Sequence, residues 1–166
     1  MDAELLEQLY RKYYASVLLY CTVLCGNEEL AKDITADAFI KAYLSLPDEV
    51  PSFRFWLLRV CKNLWIDHLR KHRREISEEP LQYIAGEVSP EVRYLQSERS
   101  RCLWRAIADL PPMDRELVTL HYVSGLPLQQ IAPIVGKTYP AVRQRMVRLR
   151  QTLKSKMEEE GYGYDI

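Results

Sequence analysis

The sequence contains little of what several common classes of protein require. Only six of its 166 residues are glycine, and no glycine-rich loop of the kind that cradles phosphate groups is present. Strand-forming residues do not cluster in alternating runs, and neither a GxSxG turn nor a pair of catalytic carboxylates occurs. No apolar stretch approaches the length that a bilayer requires. These absences favour an all-helical protein that is not an enzyme.

The four cysteines lack the spacing of a metal site or a redox motif. Cys21 and Cys25 lie in an apolar helical stretch, where a reduced, buried thiol is the ordinary state. His68 and His72 have a spacing that can ligate a metal on a helix, but the positive charges of Lys71 and Arg73 crowd them and disfavour a bound cation. The segment Met1–Gln8 is acidic and does not resemble a signal peptide. We therefore expect a cytoplasmic protein with reduced thiols, no cofactor and no metal.

The net charge is zero, yet positive charge is concentrated in two stretches. The stretch Arg54–Arg74 carries seven basic residues against the single acid Asp67, a net charge of +6. The stretch Lys137–Lys156 carries seven basic residues and no acid, a net charge of +7. Between them, Glu75–Glu91 contains neither lysine nor arginine. The distribution of charge, unlike its total, therefore indicates nucleic acid as a partner.

Apolar residues at spacings of three and four predict helices along most of the chain. Prolines predict a loop at Pro47–Ser52 and an interdomain linker at Glu75–Pro90. Asp114 is expected to cap the helix that it begins. On or near the buried side of the second helix we expect Ala31, Ile34, Ala38, Ile40, Ala42 and Tyr43. The predicted helices are Ala3–Leu24, Glu28–Leu46, Phe53–Arg73, Glu91–Leu110, Asp114–Ser124, Leu128–Val135 and Pro140–Glu160.

The C-terminal part of the chain predicts a helix-turn-helix. Leu128–Gly136 reads as a short helix and a tight turn, and a basic helix then opens at Pro140, which suits a first helical position. The second helix of such a motif enters the major groove, where arginine can bond guanine bidentately and glutamine can bond adenine. The alternative is a solvated basic face on a C-terminal helix. The candidate contacts to bases or phosphates are Lys137, Arg143, Gln144 and Arg148.

The third predicted helix combines aromatic and basic residues. We expect Trp56, Val60 or Leu64, and Leu57 or Cys61 to point inward. Cations that hold phosphates and rings that stack on bases suit single-stranded nucleic acid. The alternative is an ordinary core helix with a basic tip. The fold class predicted from these patterns is all-α, with an N-terminal helical bundle and a C-terminal helix-turn-helix joined by a flexible linker.

Three groups of residues, in this order, resemble extracytoplasmic-function sigma factors of the sigma-70 family. The segment Leu30–Tyr43 is similar to the family segment written A-E-D-L-T-Q-E-T-F-L-R-A-W. The next family segment is matched by Phe53-Arg54-x-Trp56-Leu57 and Asn63-x-x-x-Asp67-x-x-Arg70. The C-terminal family domain is matched by Leu110-Pro111, Tyr122, Gly125, Ile131-Ala132, Val142-x-x-Arg145 and Arg148-x-Arg150.

The resemblance implies a bacterial initiation factor that binds core RNA polymerase, directs it to promoters and melts the minus-ten element. Its implied polymerase-binding residues are Asp33, Asp37, Phe39 and Lys41. Its implied minus-ten residues are Trp56, Arg59, Lys62, Asn63, Asp67, Arg70, Arg73 and Arg74. Its implied minus-thirty-five residues are Lys137, Arg143, Gln144, Arg145 and Arg148. The acidic docking face departs from the family pattern, since Lys32, Ala36 and Asp37 replace the commoner Glu, Gln and Glu.

The same resemblance implies a domain plan and a set of partners. Residues 1–74 correspond to sigma region 2, 75–92 to a linker, 93–160 to sigma region 4 and 161–166 to a tail. The implied partners are the beta-prime clamp helices and beta flap of core polymerase, promoter DNA and an anti-sigma factor. The loop Pro47–Ser52 corresponds to the place where a flipped base is captured. The alternative is a stand-alone helix-turn-helix regulator, which would bind duplex DNA unaided, and a third possibility is a helical enzyme or interaction protein.

Overall fold

The computed structural model describes residues 1–47, 52–72 and 97–163, and these ranges are helical with no strand. They fall into two compact units, which divide between residues 80 and 81. The all-α fold class is therefore confirmed, whereas the predicted linker lies outside the described residues. The helices are α1 (Ala3–Cys25), α2 (Glu28–Ser45), α3 (Phe53–Lys71), α4 (Glu98–Ala108), α5 (Pro112–Val118), α6 (Leu128–Val135) and α7 (Tyr139–Glu159). None of them combines the length and apolar character needed to cross a bilayer.

Local capping fixes where most of these helices begin. At five helix starts a side-chain oxygen accepts a hydrogen bond from the backbone N–H three residues further on, which satisfies a donor that the helix itself leaves free. The capping residues are Asp2, Asn27, Ser52, Ser97 and Thr138. The observed starts of the capped helices α1, α2 and α3 coincide with the predicted ones, and α7 starts one residue earlier than predicted. The helix α6 also starts where predicted, at Leu128, although no side chain caps it.

In the first unit, α1, α2 and α3 pack against one another. The face of α2 that enters the core carries three fully buried alanines, Ala31, Ala38 and Ala42, so the neighbouring helices approach closely. The prediction that Ile40 and Tyr43 lie on or near this buried side is wrong, because their side chains are 54% and 47% exposed. The physical reason is helical geometry: Ile40 lies two residues from both Ala38 and Ala42, which places it on the opposite side of the helix.

All four cysteines are free. Cys21 and Cys61 are fully buried between α1 and α3, and Cys25 is half-buried. A hydrogen bond with Cys21, together with burial, raises the pKa of Cys61 well above its ordinary value. Burial also raises the pKa of Cys25. Because the thiolate is the reactive form, these thiols act as core residues. Among the described residues no group of histidines, cysteines and acids is arranged to hold a metal ion.

In the second unit, α7 packs against α4, α5 and α6. A π-helical turn, Thr119–Val123, extends α5. The tight turn after α6 depends on Gly136, whose φ of 68° is left-handed and whose N–H donates to the Ala132 carbonyl. The core of this unit is formed mainly by Ile107, Leu117, Val118, Leu120, Ile131, Met146 and Leu153.

Asp114 does not cap α5, contrary to prediction. The helix begins two residues earlier, at Pro112, with Pro111 at the cap position and no capping side chain. Two consecutive prolines start the helix here because they need no N–H partner. Asp114 therefore lies within the first turn, where it is 3% exposed and binds a residue of α7.

Candidate nucleic-acid interface

The second helix of the helix-turn-helix, α7, has one buried face and one exposed face. The buried face carries Val142, Met146, Leu149, Leu153 and Met157, at spacings of three and four. Because the core fixes this face, the residues between these positions point to solvent. The exposed face carries Arg143, Gln144 and Arg148, and Lys137 is exposed in the turn before the helix. Four of the five residues predicted to read the minus-thirty-five element are therefore exposed, on α7 or in the turn before it.

The fifth residue, Arg145, is also exposed, at 47% of its side chain, but it is paired within the protein. Its Nε and Nη2 atoms each donate to one carboxylate oxygen of Asp114, both over 2.7 Å. Hydrogen bonding to Asp114 and the charge of that carboxylate raise the pKa of Arg145. Such a bidentate pair has a fixed geometry. Arg145 therefore holds α7 against α5, and its contact with the minus-thirty-five element stays a prediction.

A second arginine of α7 is also engaged within the unit. Arg150 Nε donates to the hydroxyl of Tyr122 over 2.9 Å, and Arg150 Nη2 lies 3.4 Å from His121 Nε2. Nδ1 of the same histidine lies 2.9 Å from the Leu126 carbonyl oxygen. The basic residues of α7 are therefore of two kinds, those that hold the helix in place and those that its exposed face presents.

The predicted minus-ten residues share one face of α3. Leu57, Leu58 and Cys61 are buried on the other face. With 100° per residue, the predicted residues of α3 fall within an arc of about 140°. Arg59, Asn63, Asp67 and Arg70 are exposed on this arc, and Trp56 and Lys62 are half-buried. Arg73 and Arg74 lie outside the described residues.

The expectation that Trp56, Val60 or Leu64 points inward holds in part. All three side chains are half-buried, whereas Leu57 and Cys61 form the buried contact of α3. Trp56 is therefore accessible beside the charged residues of the exposed arc.

Aromatic rings and cations alternate at the start of α3. The ring of Phe53 stacks near that of Trp56, with centroids 6.5 Å apart. The ring of Tyr13 has Arg54 and Lys12 each 5.3 Å from its centroid. These contacts lie within the range of cation–π attraction. Aromatic faces and positive charge are thus adjacent here, as stacking of unpaired bases requires.

On α2 the structure separates Phe39 from the other predicted polymerase-binding residues. Phe39 is 4% exposed, and its ring packs against those of Tyr10 at 4.9 Å and Phe53 at 6.5 Å. It is therefore a core residue and presents no side chain to a partner. Asp33, Asp37 and Lys41 are exposed.

Sequence reasoning missed an apolar patch on the exposed side of α2. Ile40, Tyr43 and Leu44 are 54%, 47% and 72% exposed, on the side that carries Asp33 and Asp37. The signal was present in the helical period, because Ile40 and Leu44 lie seven residues beyond Asp33 and Asp37 respectively. We call this surface, formed by Asp33, Asp37, Ile40, Tyr43 and Leu44, the α2 face.

The fold and its basic surface define a helix-turn-helix protein, and comparison with known proteins identifies the family. The family model described as "Sigma-70 region 2" matches residues 9–75, and that described as "Sigma-70, region 4" matches residues 100–153. Together these stretches account for well over half of the chain. The chain belongs to the sigma-70 family of RNA polymerase sigma factors, in the extracytoplasmic-function group, as the sequence resemblance predicted.

Individual relatives agree with this assignment. The chain is 28% identical to the extracytoplasmic-function sigma factor BldN of Streptomyces coelicolor, over 92% of this chain but only 60% of BldN. It is 29% identical to SigW of Bacillus subtilis, over 89% of this chain and 86% of SigW. Among solved structures, sigma factor RpoE of Bartonella quintana in complex with the anti-sigma factor NepR has a similar fold. Its TM-score is 0.64 at 20% identity, over 92% of this chain and 96% of RpoE.

We expect Arg145→Ala to lower the thermal unfolding midpoint of the protein by more than Arg143→Ala does. The first variant leaves the buried Asp114 carboxylate without its cation, whereas Arg143 is exposed. Circular dichroism of the helical signal measures both midpoints. Adding Asp114→Asn to Arg145→Ala should restore part of the loss, because no charge then remains buried. Equal midpoints for the two single variants would show that the pair does not hold α7.

Proposed function

We propose that this chain binds core RNA polymerase, directs it to particular promoters and helps to open the minus-ten region, without catalysing a reaction itself. The observation that carries the proposal is the presence of two exposed basic helix faces, on α3 and α7, in two separate units. One adjoins aromatic rings and the other belongs to a helix-turn-helix. A protein that needs only duplex DNA has no use for the first, which argues against a stand-alone regulator.

The α2 face is the part of the first unit suited to core polymerase. Ile40, Tyr43 and Leu44 offer apolar area that is costly to leave in water, and Asp33 and Asp37 add charge at its edge. Surfaces of this composition, apolar in the centre and polar at the rim, are typical of protein–protein contacts. Within this proposal the beta-prime clamp helices are the partner of the α2 face, and Phe39 supports it from the core.

The exposed arc of α3 is the part of the first unit suited to the non-template strand. Arg59 and Arg70 supply cations for phosphates, Trp56 supplies a ring face, and Asn63 offers donors and an acceptor to a base edge. The ion pair between Arg70 Nη1 and Asp67 Oδ1, at 3.8 Å, is exposed and weak enough to exchange for a phosphate. The predicted base-capturing loop includes residues 48–51, which lie outside the described residues.

The remaining assignments follow from the same proposal. Residues 1–74 act as sigma region 2 and residues 93–160 as sigma region 4, with 75–92 as the connection and 161–166 as a tail. The protein works in the cytoplasm, where core polymerase and the promoter are found. An anti-sigma factor is its proposed inhibitor, because RpoE of Bartonella quintana was solved with one.

Affinity capture with core polymerase followed by run-off transcription on genomic fragments tests the proposed function. We expect the purified protein to be retained by core polymerase and to yield discrete transcripts that core polymerase alone does not produce. Retention without any discrete transcript would contradict promoter direction. Failure of retention would contradict the role as a sigma factor altogether.

We expect Leu44→Ala to weaken binding to core polymerase about tenfold. Burying a leucine side chain contributes about 1.5–3 kcal/mol, and 1.4 kcal/mol corresponds to a tenfold change in affinity. Because Leu44 is 72% exposed, the change leaves the core intact. The matched control is Leu5→Ala, on α1, where the leucine is 44% exposed and lies outside the α2 face. Fluorescence titration measures both affinities, and equal losses would contradict the assignment of the α2 face.

We expect Asn63→Ala to impair opening of the minus-ten region while leaving the affinity for core polymerase unchanged. Asn63 is exposed on the arc of α3, so the change removes a base contact and leaves the fold intact. Permanganate footprinting of the melted bubble measures opening. Leu44→Ala is the complementary control, because it should form a normal bubble once polymerase is saturated. A normal bubble with Asn63→Ala would disprove the role of Asn63.

We expect Arg148→Ala to weaken initiation at promoters that depend on the upstream element and to spare promoters that do not. Arg148 lies on the exposed face of α7, where it can reach a base or a phosphate. Run-off transcription at the two kinds of promoter measures the difference. Lys154→Ala is the matched control, because it removes one positive charge from an exposed position further along the same helix. Identical behaviour of the two variants would contradict the assignment.

A further inference from the structure

Val147 is an apolar side chain on the face of α7 that is proposed to read DNA. It is 50% exposed. In the described part of the second unit the other exposed large apolar side chains are Tyr139, at the first position of α7, and Met113. Met113 lines a cleft of about 330 Å³ together with Lys137 and Ala141, beside the start of α7. The apolar surface that this part of the unit exposes is therefore gathered around the first half of the proposed reading helix.

The core does not explain Val147. The core face of α7 runs through Val142, Met146 and Leu149, and Val147 lies outside this row. A β-branched residue is also less suited to an exposed helical position than lysine, glutamate or glutamine. Neither packing nor helix propensity favours valine here, and its position among the proposed reading residues suits a contact with DNA.

The neighbours of Val147 on this face are hydrogen-bonding residues. Gln144 lies three residues before it, Gln151 four residues after it, and Arg148 beside it, and all three are exposed. In the major groove, base edges offer hydrogen-bond donors and acceptors, and the one apolar group is the 5-methyl group of thymine. A single apolar side chain among polar ones is the complement of a single thymine methyl group among donors and acceptors.

We propose that Val147 reads a thymine in the upstream promoter element by contact with its 5-methyl group, and so helps to determine which promoters are used. This inference rests on the proposed function of α7 as the helix that reads the upstream element. Three residues advance about 4.5 Å along a helix, and successive bases of one strand are about 3.4 Å apart. The thymine is therefore about one base-pair step from the position that Gln144 contacts.

Replacing thymine by deoxyuridine tests the inference, because it removes the methyl group and leaves every donor and acceptor in place. The probe is a promoter duplex selected by run-off transcription with core polymerase and the intact protein. Each thymine of its upstream element is replaced in turn. At one position the wild-type protein should lose about fourfold in initiation, the factor that corresponds to one buried methyl group at about 0.8 kcal/mol. Val147→Ala should lose a similar factor on the thymine promoter and nothing further on the uracil promoter.

Ser155→Ala, exposed two turns further along α7, is the matched control and should keep the full sensitivity to uracil. Two results would overturn this inference without affecting the proposed role of α7. One is that uracil changes initiation by the wild-type protein at no position. The other is that Val147→Ala loses a further fourfold in initiation on the uracil promoter. The second result would mean that another residue contacts the methyl group. A template with a scrambled upstream element distinguishes failure of the Val147 inference from failure of the proposed role of α7. If scrambling also has no effect, the proposed role of α7 falls together with the inference.

Discussion

Each of the two basic helices, α3 and α7, has one face buried in the core of its unit, and that burial determines which side chains reach the surface. In α7 the apolar row from Val142 to Met157 is held by the core of its unit, so Arg143, Gln144 and Arg148 have no position available except the surface. In α3 the burial of Leu57 and Cys61 has the same effect on Arg59 and its neighbours. The backbone of each proposed reading surface is thus fixed in advance, so that a bound DNA would have to order only the exposed side chains.

Positive charge in this protein serves two purposes, and the structure distinguishes them. Arg145 is bound to Asp114, and Arg150 to Tyr122, so both hold the second unit together. Lys32 lies 3.4 Å from Glu28 on α2, and its hydrogen bond to that glutamate raises its pKa. The basic residues that remain on the exposed faces are fewer than the sequence totals suggest. The cations that remain on the exposed faces of α3 and α7 are those available for the proposed contacts with phosphates.

The features of the fold that can be predicted from the sequence are helix starts and ends, because local interactions set them. The start of α2 follows from the cap at Asn27, and the bounds of α6 follow from its apolar pattern and from Gly136. Partners that are distant along the chain could not be predicted. Arg145 and Asp114 are 31 residues apart, so no periodicity links them, and both were assigned other roles. The burial of Phe39 likewise depends on which side of α2 meets α1 and α3. The apolar pattern of α2 is too even to fix that side, and only the seven-residue spacing of Ile40 and Leu44 from Asp33 and Asp37 indicates it.

In the proposed function, the two basic faces act on promoter DNA only when the protein is bound to core polymerase. Fluorescence anisotropy of a labelled promoter duplex, titrated with the protein in the presence and absence of core polymerase, measures this dependence. We expect the protein alone to bind weakly and without preference for the promoter over a scrambled duplex, and core polymerase to confer tight, promoter-specific binding. Tight, specific binding by the protein alone, unaffected by core polymerase, would show that it is a stand-alone regulator.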